Sequence, residues 1–270
     1  MFILEIRPFG NKCNKKCAYC YQPKQSLPAA WSITPEAIKG FIDRIPFSAN
    51  GLPNKEPIKL VLHGGEPILD EGKWAISLAN LLSSKVRSKE IFPCIQTHGH
   101  YDTKIISQLL GHNFWLAFSV DFPLKEKPIS KQLLENIYAA DKVGRLAAVQ
   151  MVVSEELTQQ REPLILEFIR SLPQGTNFKL IPMMSKGNIK ESLIYYEKSL
   201  AFFGAEFFQM SQKISVEPIY QMITRQKIPG CRFSFGCSLK GSITKTACID
   251  YDGLIFPCNR FAAIRKFCLG

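Results

Sequence analysis

The chain has 270 residues, of which 46% are hydrophobic, and 34 lysines and arginines against 23 acidic residues give it a net charge of +11. A chain of this length buries roughly three quarters of its unfolded surface, which is enough for one sizeable core. It has no run of roughly 18 apolar residues for a membrane span and no signal peptide, so we expect a cytoplasmic protein. Nine cysteines in such a chain favour metal binding over disulfides.

A short apolar strand over residues 2–8 leads directly into a loop with three cysteines. Cys13, Cys17 and Cys20 have the spacing Cys-x3-Cys-x2-Cys. A compact loop of this kind can place three thiolates on three corners of a [4Fe–4S] cluster and leave the fourth iron open to a small molecule. A structural zinc site normally has a fourth protein ligand, and none lies nearby in the sequence. A zinc knuckle and a chance spacing are the alternatives.

The next elements are a helix and a second strand. Thr34 followed by proline predicts a helix that runs to about Ile45. Residues 58–62 form an apolar strand that ends in the sequence Gly-Gly-Glu-Pro, residues 64–67. Two glycines allow the backbone to approach a bound ligand and to adopt positive φ angles. A tight loop without a ligand is the alternative.

Helices and strands alternate through the following part of the chain. The pattern predicts strands over 91–96, 114–120, 146–153 and 177–182, and helices over 70–87, 103–110, 130–143, 161–171, 188–210 and 215–225. Six strands that alternate with helices indicate right-handed βαβ units and a parallel sheet. The expected fold class is therefore α/β.

The C-terminal end of the chain is rich in cysteine and contains a predicted hairpin. Asp252-Gly253 is a strong signal for a two-residue turn between the apolar strands of residues 246–258. The last five cysteines are Cys231, Cys237, Cys248, Cys258 and Cys268. They favour a metal site, for which a zinc ribbon is one interpretation. The sequence assigns no role to Cys94, Cys248 or Cys268.

The cysteine spacing, the tyrosine before the third cysteine and the GGEP motif one βα unit later resemble the signature of radical S-adenosylmethionine (SAM) enzymes. The resemblance extends over most of the chain and implies a partial (βα)6 TIM barrel with its site at the C-terminal ends of the strands. In that family SAM chelates the open iron of the [4Fe–4S] cluster. One electron from the cluster then releases a 5′-deoxyadenosyl radical, which abstracts a substrate hydrogen.

The resemblance also implies roles for individual residues. The three thiols of Cys13, Cys17 and Cys20 would ligate the cluster. The residues expected at SAM are Tyr19, Gly64, Gly65, Glu66, Pro67, Thr97, Ser119 and Gln150. For Gln150, a satisfied core glutamine is an equal alternative. Asp121 is the candidate catalytic residue, close to the substrate or the ribose. His98 stands where relatives usually have asparagine.

The C-terminal cysteines resemble the opening of a SPASM or twitch module, which carries auxiliary iron–sulfur clusters. Cys237, Gly253 and Cys258 match that opening, and Cys231 fits as a further ligand. We therefore expect a barrel over 1–210, a module over 211–270, and one or more auxiliary [4Fe–4S] clusters. The sequence stops where the module continues in relatives, so we expect either a shortened module or a truncated sequence.

The function that this resemblance implies is modification of a peptide or protein side chain, as in anaerobic sulfatase maturases. The expected partners are a peptide or protein substrate and an electron donor such as flavodoxin or ferredoxin, with no membrane. One alternative is a radical SAM enzyme that acts on RNA or a small molecule, although no known RNA-binding motif is present. Another is a non-catalytic iron–sulfur or zinc protein, against which the GGEP motif argues.

Overall fold

The structure is a computed structural model. It describes residues 2–17, 20, 32–44, 57–120, 130–153, 162–182, 197, 215–217, 246–258, 262 and 268–269. The strands in these ranges are β1 (Phe2–Ile6), β2 (Ile58–Leu62), β3 (Ile91–Thr97), β4 (Trp115–Val120), β5 (Leu146–Val153), β6 (Asn177–Pro182), β7 (Ser215–Glu217), β8 (Thr246–Ile249) and β9 (Ile255–Phe256).

These strands form one sheet in the order β7-β6-β5-β4-β3-β2-β1-β8-β9. Every neighbouring pair from β7 to β8 is parallel, and β8 and β9 are antiparallel. The succession of β1 to β6 confirms the parallel sheet predicted from the alternating strands and helices. The mixed α/β class and the partial barrel are therefore confirmed.

The helices lie between these strands along the chain. They are α1 (Pro35–Arg44), α2 (Lys73–Leu81), α3 (Ser83–Arg87), α4 (Thr103–Gly111), α5 (Lys131–Lys142) and α6 (Glu162–Arg170). The Thr34 hydroxyl accepts a hydrogen bond from the Ala37 N–H (3.2 Å), which confirms the predicted start of α1. The single helix predicted over 70–87 is wrong, because the backbone leaves helical geometry at Leu82 (φ −100°, ψ 8°). Within the described ranges, none of these helices has the length and apolarity that a membrane crossing requires.

Alternate residues of the strands are buried, and they lie on the face of the sheet that packs against the helices. In β2, Ile58, Leu60 and Leu62 are buried, whereas Lys59 and Val61 are partly exposed. The buried face joins apolar residues of α1, α2, α4, α5 and α6 in one core. The opposite face is therefore the one that carries polar side chains of the strand ends.

The helix predicted over 215–225 is wrong at its beginning, because residues 215–217 form β7. This strand pairs in parallel with β6, with Asn177 opposite Ser215 and Lys179 opposite Glu217. Pairing with the free edge of β6 outweighs the weak local preference of a three-residue segment. The rest of that prediction lies outside the described residues, as does the helix predicted over 188–210 apart from residue 197, which is helical.

The C-terminal hairpin is confirmed, but its turn differs from the prediction. Residues 250–254 connect the strands, and the Asp250 N–H donates to the Leu254 carbonyl (2.9 Å), so this hydrogen bond encloses three residues and not two. Gly253 closes this loop with φ +84°, a left-handed conformation that glycine adopts without strain. The hairpin continues the main sheet because β8 pairs with β1, with Ile6 opposite Ile249.

A buried ion pair fixes this hairpin to the barrel. The Arg7 guanidinium lies 3.1 Å from the Asp250 carboxylate, and both side chains are almost fully buried (1% and 2% exposed). Arg7 also donates to the Asn11 side chain, and its N–H donates to the Ile249 carbonyl (2.9 Å). The end of β1 therefore contacts the loop that follows it and the turn of the hairpin at the same time.

Removal of one partner of this pair should destabilise the fold strongly. We expect Arg7→Met to lower the free energy of unfolding by about 3–5 kcal/mol, because it leaves the Asp250 carboxylate buried without its counter-charge. Chemical denaturation of the metal-free, reduced chain measures the change. Lys39→Met is the control, since the exposed pair of Lys39 with Asp43 contributes only about 0.5 kcal/mol. Equal effects of the two substitutions would contradict the prediction.

Candidate active site

Two loops meet at the C-terminal ends of β1 and β2. We call residues 7–20 the cysteine loop and residues 63–67 the GGEP loop; residues 18 and 19 lie outside the described chain. The Gly65 N–H donates to the Gly10 carbonyl (2.8 Å), and the Glu66 N–H donates to the Lys12 carbonyl (2.8 Å). The backbone of the GGEP loop is therefore hydrogen-bonded to the backbone of the cysteine loop.

Both glycines of the GGEP loop are required by this close approach. A Cβ atom at Gly65 would lie 1.9 Å from the Lys12 carbonyl oxygen, and one at Gly64 would lie 2.7 Å from the Gly10 carbonyl oxygen. Gly64 also has φ +119°, which side chains rarely allow. The sequence attributed these glycines to contact with a ligand, and the structure adds a second reason, which is contact with the cysteine loop.

The three cysteines of the cysteine loop carry reduced thiols; Cys13 and Cys20 are exposed and Cys17 is partly exposed. The Lys15 N–H donates to the Cys13 sulfur (3.3 Å). Desolvation by surrounding atoms raises the pKa of the Cys13 thiol, which the Lys15 N–H partly opposes. Within the described part of the chain, no three His, Cys, Asp or Glu side chains converge as they would around a metal ion. The donor chemistry nevertheless fits an iron–sulfur cluster, which three thiolates from one loop can hold.

Glu66 places a buried carboxylate between the two loops and β3. The residue is 2% exposed. Its Oε1 accepts hydrogen bonds from the Thr97 hydroxyl (2.8 Å) and the Ile68 N–H (3.2 Å), and its Oε2 accepts one from the His98 N–H (3.1 Å). Burial raises the pKa of Glu66 to about 7 in spite of these bonds. A ligand that donates hydrogen bonds or carries positive charge here would favour the ionised carboxylate.

The His98 side chain reaches both loops from the end of β3. Its Nε2 lies 2.8 Å from the Asn14 Oδ1 in the cysteine loop and 3.4 Å from the Glu66 Oε2. Burial, together with the charge of Lys15, lowers the pKa of His98 to about 3, so the ring is neutral and its contact with Glu66 is not an ion pair. Its Nδ1 accepts the His100 N–H (3.1 Å), which places the ring proton on Nε2.

Asn136 of α5 holds the backbone that follows His98. Its Nδ2 donates to the carbonyls of Gly99 (2.9 Å) and Tyr101 (2.8 Å). Gly99 has φ +71°, and a Cβ there would lie 2.5 Å from the Phe118 ring. The hydrogen bonds from Asn136 and the close packing at Gly99 therefore fix the backbone after β3, and with it the positions of His98 and Tyr101.

A row of polar side chains crosses the ends of β3, β4 and β5. The Ser119 hydroxyl accepts from the Gln150 Nε2 (3.1 Å) and the Gln96 Nε2 (3.5 Å). Ser119 and Gln150 face each other in the sheet register, and both are partly exposed. The structure thus brings together two predicted SAM-binding residues, and it separately brings Thr97 to Glu66. Pro67, the last residue of the GGEP loop, is buried.

Several predicted site residues lie outside the described residues. These are Tyr19, Asp121, Cys231 and Cys237. Cys258, the remaining candidate auxiliary ligand, is buried, with 4% of the residue exposed. Its role as a ligand stays a prediction.

Sequence reasoning missed Asn14, Tyr101 and Asn136, which complete the contacts around His98. None of them belongs to a motif. Asn14 lies between Cys13 and Cys17, but the cysteine spacing does not specify which residue stands there. The Tyr101 ring stacks on the His98 ring, with centroids 5.0 Å apart and planes 12° apart. The departure from asparagine at position 98 was the only sequence signal that pointed to this part of the site.

A partial barrel whose first two strands end in a three-cysteine loop and a GGEP loop matches the radical SAM class predicted from the sequence. No family model matches the chain. The chain is 21% identical over 299 aligned residues to the cysteine-type anaerobic sulfatase-maturating enzyme of Clostridium perfringens, with 99% of this chain and 76% of that protein covered. It is 25% identical over 158 residues to the serine-type anaerobic sulfatase-maturating enzyme of Bacteroides thetaiotaomicron, with 54% and 34% covered.

Two solved structures that contain S-adenosylmethionine share this fold. Native anSMEcpe with bound AdoMet, which is SAM, superposes with a TM-score of 0.74 at 19% identity, covering 99% of this chain and 77% of that one. SuiB of Streptococcus suis bound to S-adenosylmethionine superposes with a TM-score of 0.62 at 13% identity, covering 100% and 63%. The homologues are thus anaerobic sulfatase-maturating enzymes, and the resemblance stated from the sequence is confirmed.

A side chain at Gly65 should separate the two loops. We expect Gly65→Ala to lower the free energy of unfolding by about 1–3 kcal/mol, because the added methyl group overlaps the Lys12 carbonyl. Gly40→Ala is the control, since a Cβ there meets nothing within 4 Å and the position is inside α1. Denaturation of both variants should show the control as stable as the parent or more stable by up to about 1 kcal/mol. An unchanged Gly65→Ala would refute this account of the contact.

Proposed function

We propose that this chain is a radical SAM enzyme that cleaves SAM reductively and modifies a side chain of a peptide or protein by hydrogen abstraction. The observation that carries the proposal is the pairing of a three-thiol loop with a loop that presents the buried Glu66 carboxylate. Its homologues support it, because they are named for the maturation of sulfatases, and anSMEcpe has been solved with AdoMet and the Kp18Cys peptide.

In this proposal Cys13, Cys17 and Cys20 ligate a [4Fe–4S] cluster through their thiolates. When bound, the cluster and SAM supply the electron transfer and the radical that removes a substrate hydrogen. The chain's own contribution is to hold SAM: the GGEP backbone approaches it closely, and Glu66 accepts hydrogen bonds from its amino group. Thr97 keeps the Glu66 carboxylate in place.

The polar row at the ends of β3 to β5 extends this binding region. Ser119 and Gln150 are the residues that we assign to the SAM carboxylate and its surroundings, on the less buried face of the sheet. Asp121 directly follows Ser119 and Val120 in sequence, and we assign it to the substrate. Enclosure of the site by the barrel would protect a reactive radical from water.

The remaining parts of the proposal concern electron transfer and location. We assign Cys231, Cys237 and Cys258 to an auxiliary [4Fe–4S] cluster that accepts an electron from the substrate or ligates it. A flavodoxin or ferredoxin in the cytoplasm would supply the first electron. The exposure of Cys13 and Cys20 supports the approach of such a donor to the cysteine loop.

The proposal is tested by anaerobic reconstitution with iron and sulfide, reduction with dithionite, and measurement of 5′-deoxyadenosine formed from SAM. We expect product from the parent chain and none from Cys17→Ala, which lacks one cluster ligand. Cys94→Ala is the matched control, because this thiol is buried in β3 away from the cysteine loop and its loss should leave cleavage intact. No product from the parent chain, or retained cleavage by Cys17→Ala, would rule the assignment out.

The affinity for SAM should depend on pH through Glu66. Its pKa is raised to about 7, so the carboxylate that accepts hydrogen bonds from SAM is mostly ionised at pH 8 and mostly protonated at pH 6. We expect the parent to bind SAM at pH 8 about tenfold more tightly than Glu66→Gln, since charged hydrogen bonds contribute about 1.5–3 kcal/mol.

The ratio of the SAM dissociation constant of Glu66→Gln to that of the parent should fall about tenfold between pH 8 and pH 6, because the ionised fraction of Glu66 falls by that factor. Equilibrium dissociation constants of SAM for the reconstituted proteins measure it. Because SAM itself titrates in both measurements, taking the ratio of the two dissociation constants removes that contribution. A ratio that stays constant across this range would show that Glu66 does not bind SAM as an ionised group.

A further inference from the structure

We propose that His98 is a positioning residue that locks the cysteine loop and the GGEP loop together and thereby fixes SAM relative to the cluster. This inference rests on the function proposed above and adds a role for a residue outside both motifs. It follows from contacts that His98 makes with each loop, from the way its ring is held, and from the atom that carries its proton.

The contacts of His98 span the two loops. Its Nε2 donates to the Asn14 Oδ1, at 2.8 Å, in the middle of the cysteine loop. The same Nε2 lies 3.4 Å from the Glu66 Oε2, and the His98 N–H donates to that oxygen at 3.1 Å. One residue thus contacts a neighbour of Cys13 and the carboxylate assigned to SAM. A change in the His98 side chain should therefore alter the positions of both Asn14 and the Glu66 carboxylate.

The ring is held firmly enough to act as a spacer. His98 is 7% exposed, its ring stacks on Tyr101, and its Nδ1 accepts the His100 N–H. Asn136 fixes the backbone behind it through two hydrogen bonds. Because Nδ1 is an acceptor, the donor N–H is on Nε2 and is directed toward Asn14. Donors that contact the residues around a metal centre, rather than the metal itself, orient the groups that hold the centre or its ligand.

The donor nitrogen and the ring of His98 can be retained separately by two different substitutions. A glutamine amide nitrogen occupies nearly the position of the imidazole Nε2, so the variant His98→Gln would retain the donor toward Asn14. Phenylalanine retains the ring and its stacking on Tyr101 but has no donor. A comparison of His98→Gln with His98→Phe therefore separates the hydrogen bond from the packing of the ring.

The experiment uses the reconstituted full chain in the forms His98→Phe, His98→Gln and Asn14→Ala. His112→Phe is the control, since that partly exposed histidine caps the C-terminal end of α4, at the opposite edge of the sheet from the two loops. The measurements are the dissociation constant of SAM, the change in the EPR spectrum of the reduced cluster when SAM is added, and the thermal midpoint of the metal-free chain.

We expect His98→Phe and Asn14→Ala to weaken SAM binding about three- to tenfold, the range of one lost hydrogen bond, and to alter the EPR change that SAM causes. His98→Gln should remain within about twofold of the parent, and His112→Phe should not differ from it. Combined with Asn14→Ala, His98→Phe should weaken binding by less than it does alone, because both remove the same contact.

The inference is overturned if His98→Phe binds SAM and changes the EPR spectrum as the parent does, or if His98→Gln loses as much as His98→Phe. Should His98→Phe fail to fold, Asn14→Ala decides the question, because Asn14 is an exposed loop residue whose truncation removes the acceptor without opening a buried cavity. A parent chain without SAM cleavage would refute the proposed function. If the parent cleaves SAM and Asn14→Ala binds SAM as tightly as the parent does, only this inference is refuted.

Discussion

Two backbone hydrogen bonds between the loops after β1 and β2 determine the geometry of the whole site. They join Gly65 to Gly10 and Glu66 to Lys12, at 2.8 Å each. The parallel register of β1 and β2, with Ile6 opposite Leu62, brings the loops to the same level. The contact then leaves no room for a Cβ at Gly65. As a result, the three thiols and the Glu66 carboxylate are placed relative to one another by backbone, which is the least variable part of a protein.

The polar groups at this junction are buried, and burial makes their charge sensitive to a ligand. Glu66 accepts three hydrogen bonds, yet desolvation still raises its pKa to about 7. The carboxyl group is therefore poised between its two forms, and a donor group from a bound molecule favours ionisation. His98 remains neutral at the same junction and donates its Nε2 proton to Asn14. The junction thus combines one buried carboxylate with one neutral donor that binds the cysteine loop.

The sequence predicted the parts of this molecule that depend on local pattern. Apolar runs located β1 to β6, and the spacing of Cys13, Cys17 and Cys20 marked one loop of the candidate site. It did not predict that β7 extends β6 or that β8 pairs with β1, because those pairings depend on which sheet edge is free. The bond between His98 and Asn14 joins residues 84 apart and is equally invisible to local pattern. Only the unusual histidine itself could be noticed.

The C-terminal hairpin extends the coupling of the two loops to a third segment. β8 lies beside β1, the Arg7 N–H donates to the Ile249 carbonyl, and the Arg7 guanidinium pairs with Asp250. The same Arg7 side chain closes the space beside Gly64, where a Cβ would lie 3.2 Å from its own Cβ. Densely packed interiors transmit displacement, so a shift of the hairpin would move Arg7 against the GGEP loop. The hairpin, which contains Cys248 and Cys258, is thus connected through Arg7 to the cysteine loop and the GGEP loop.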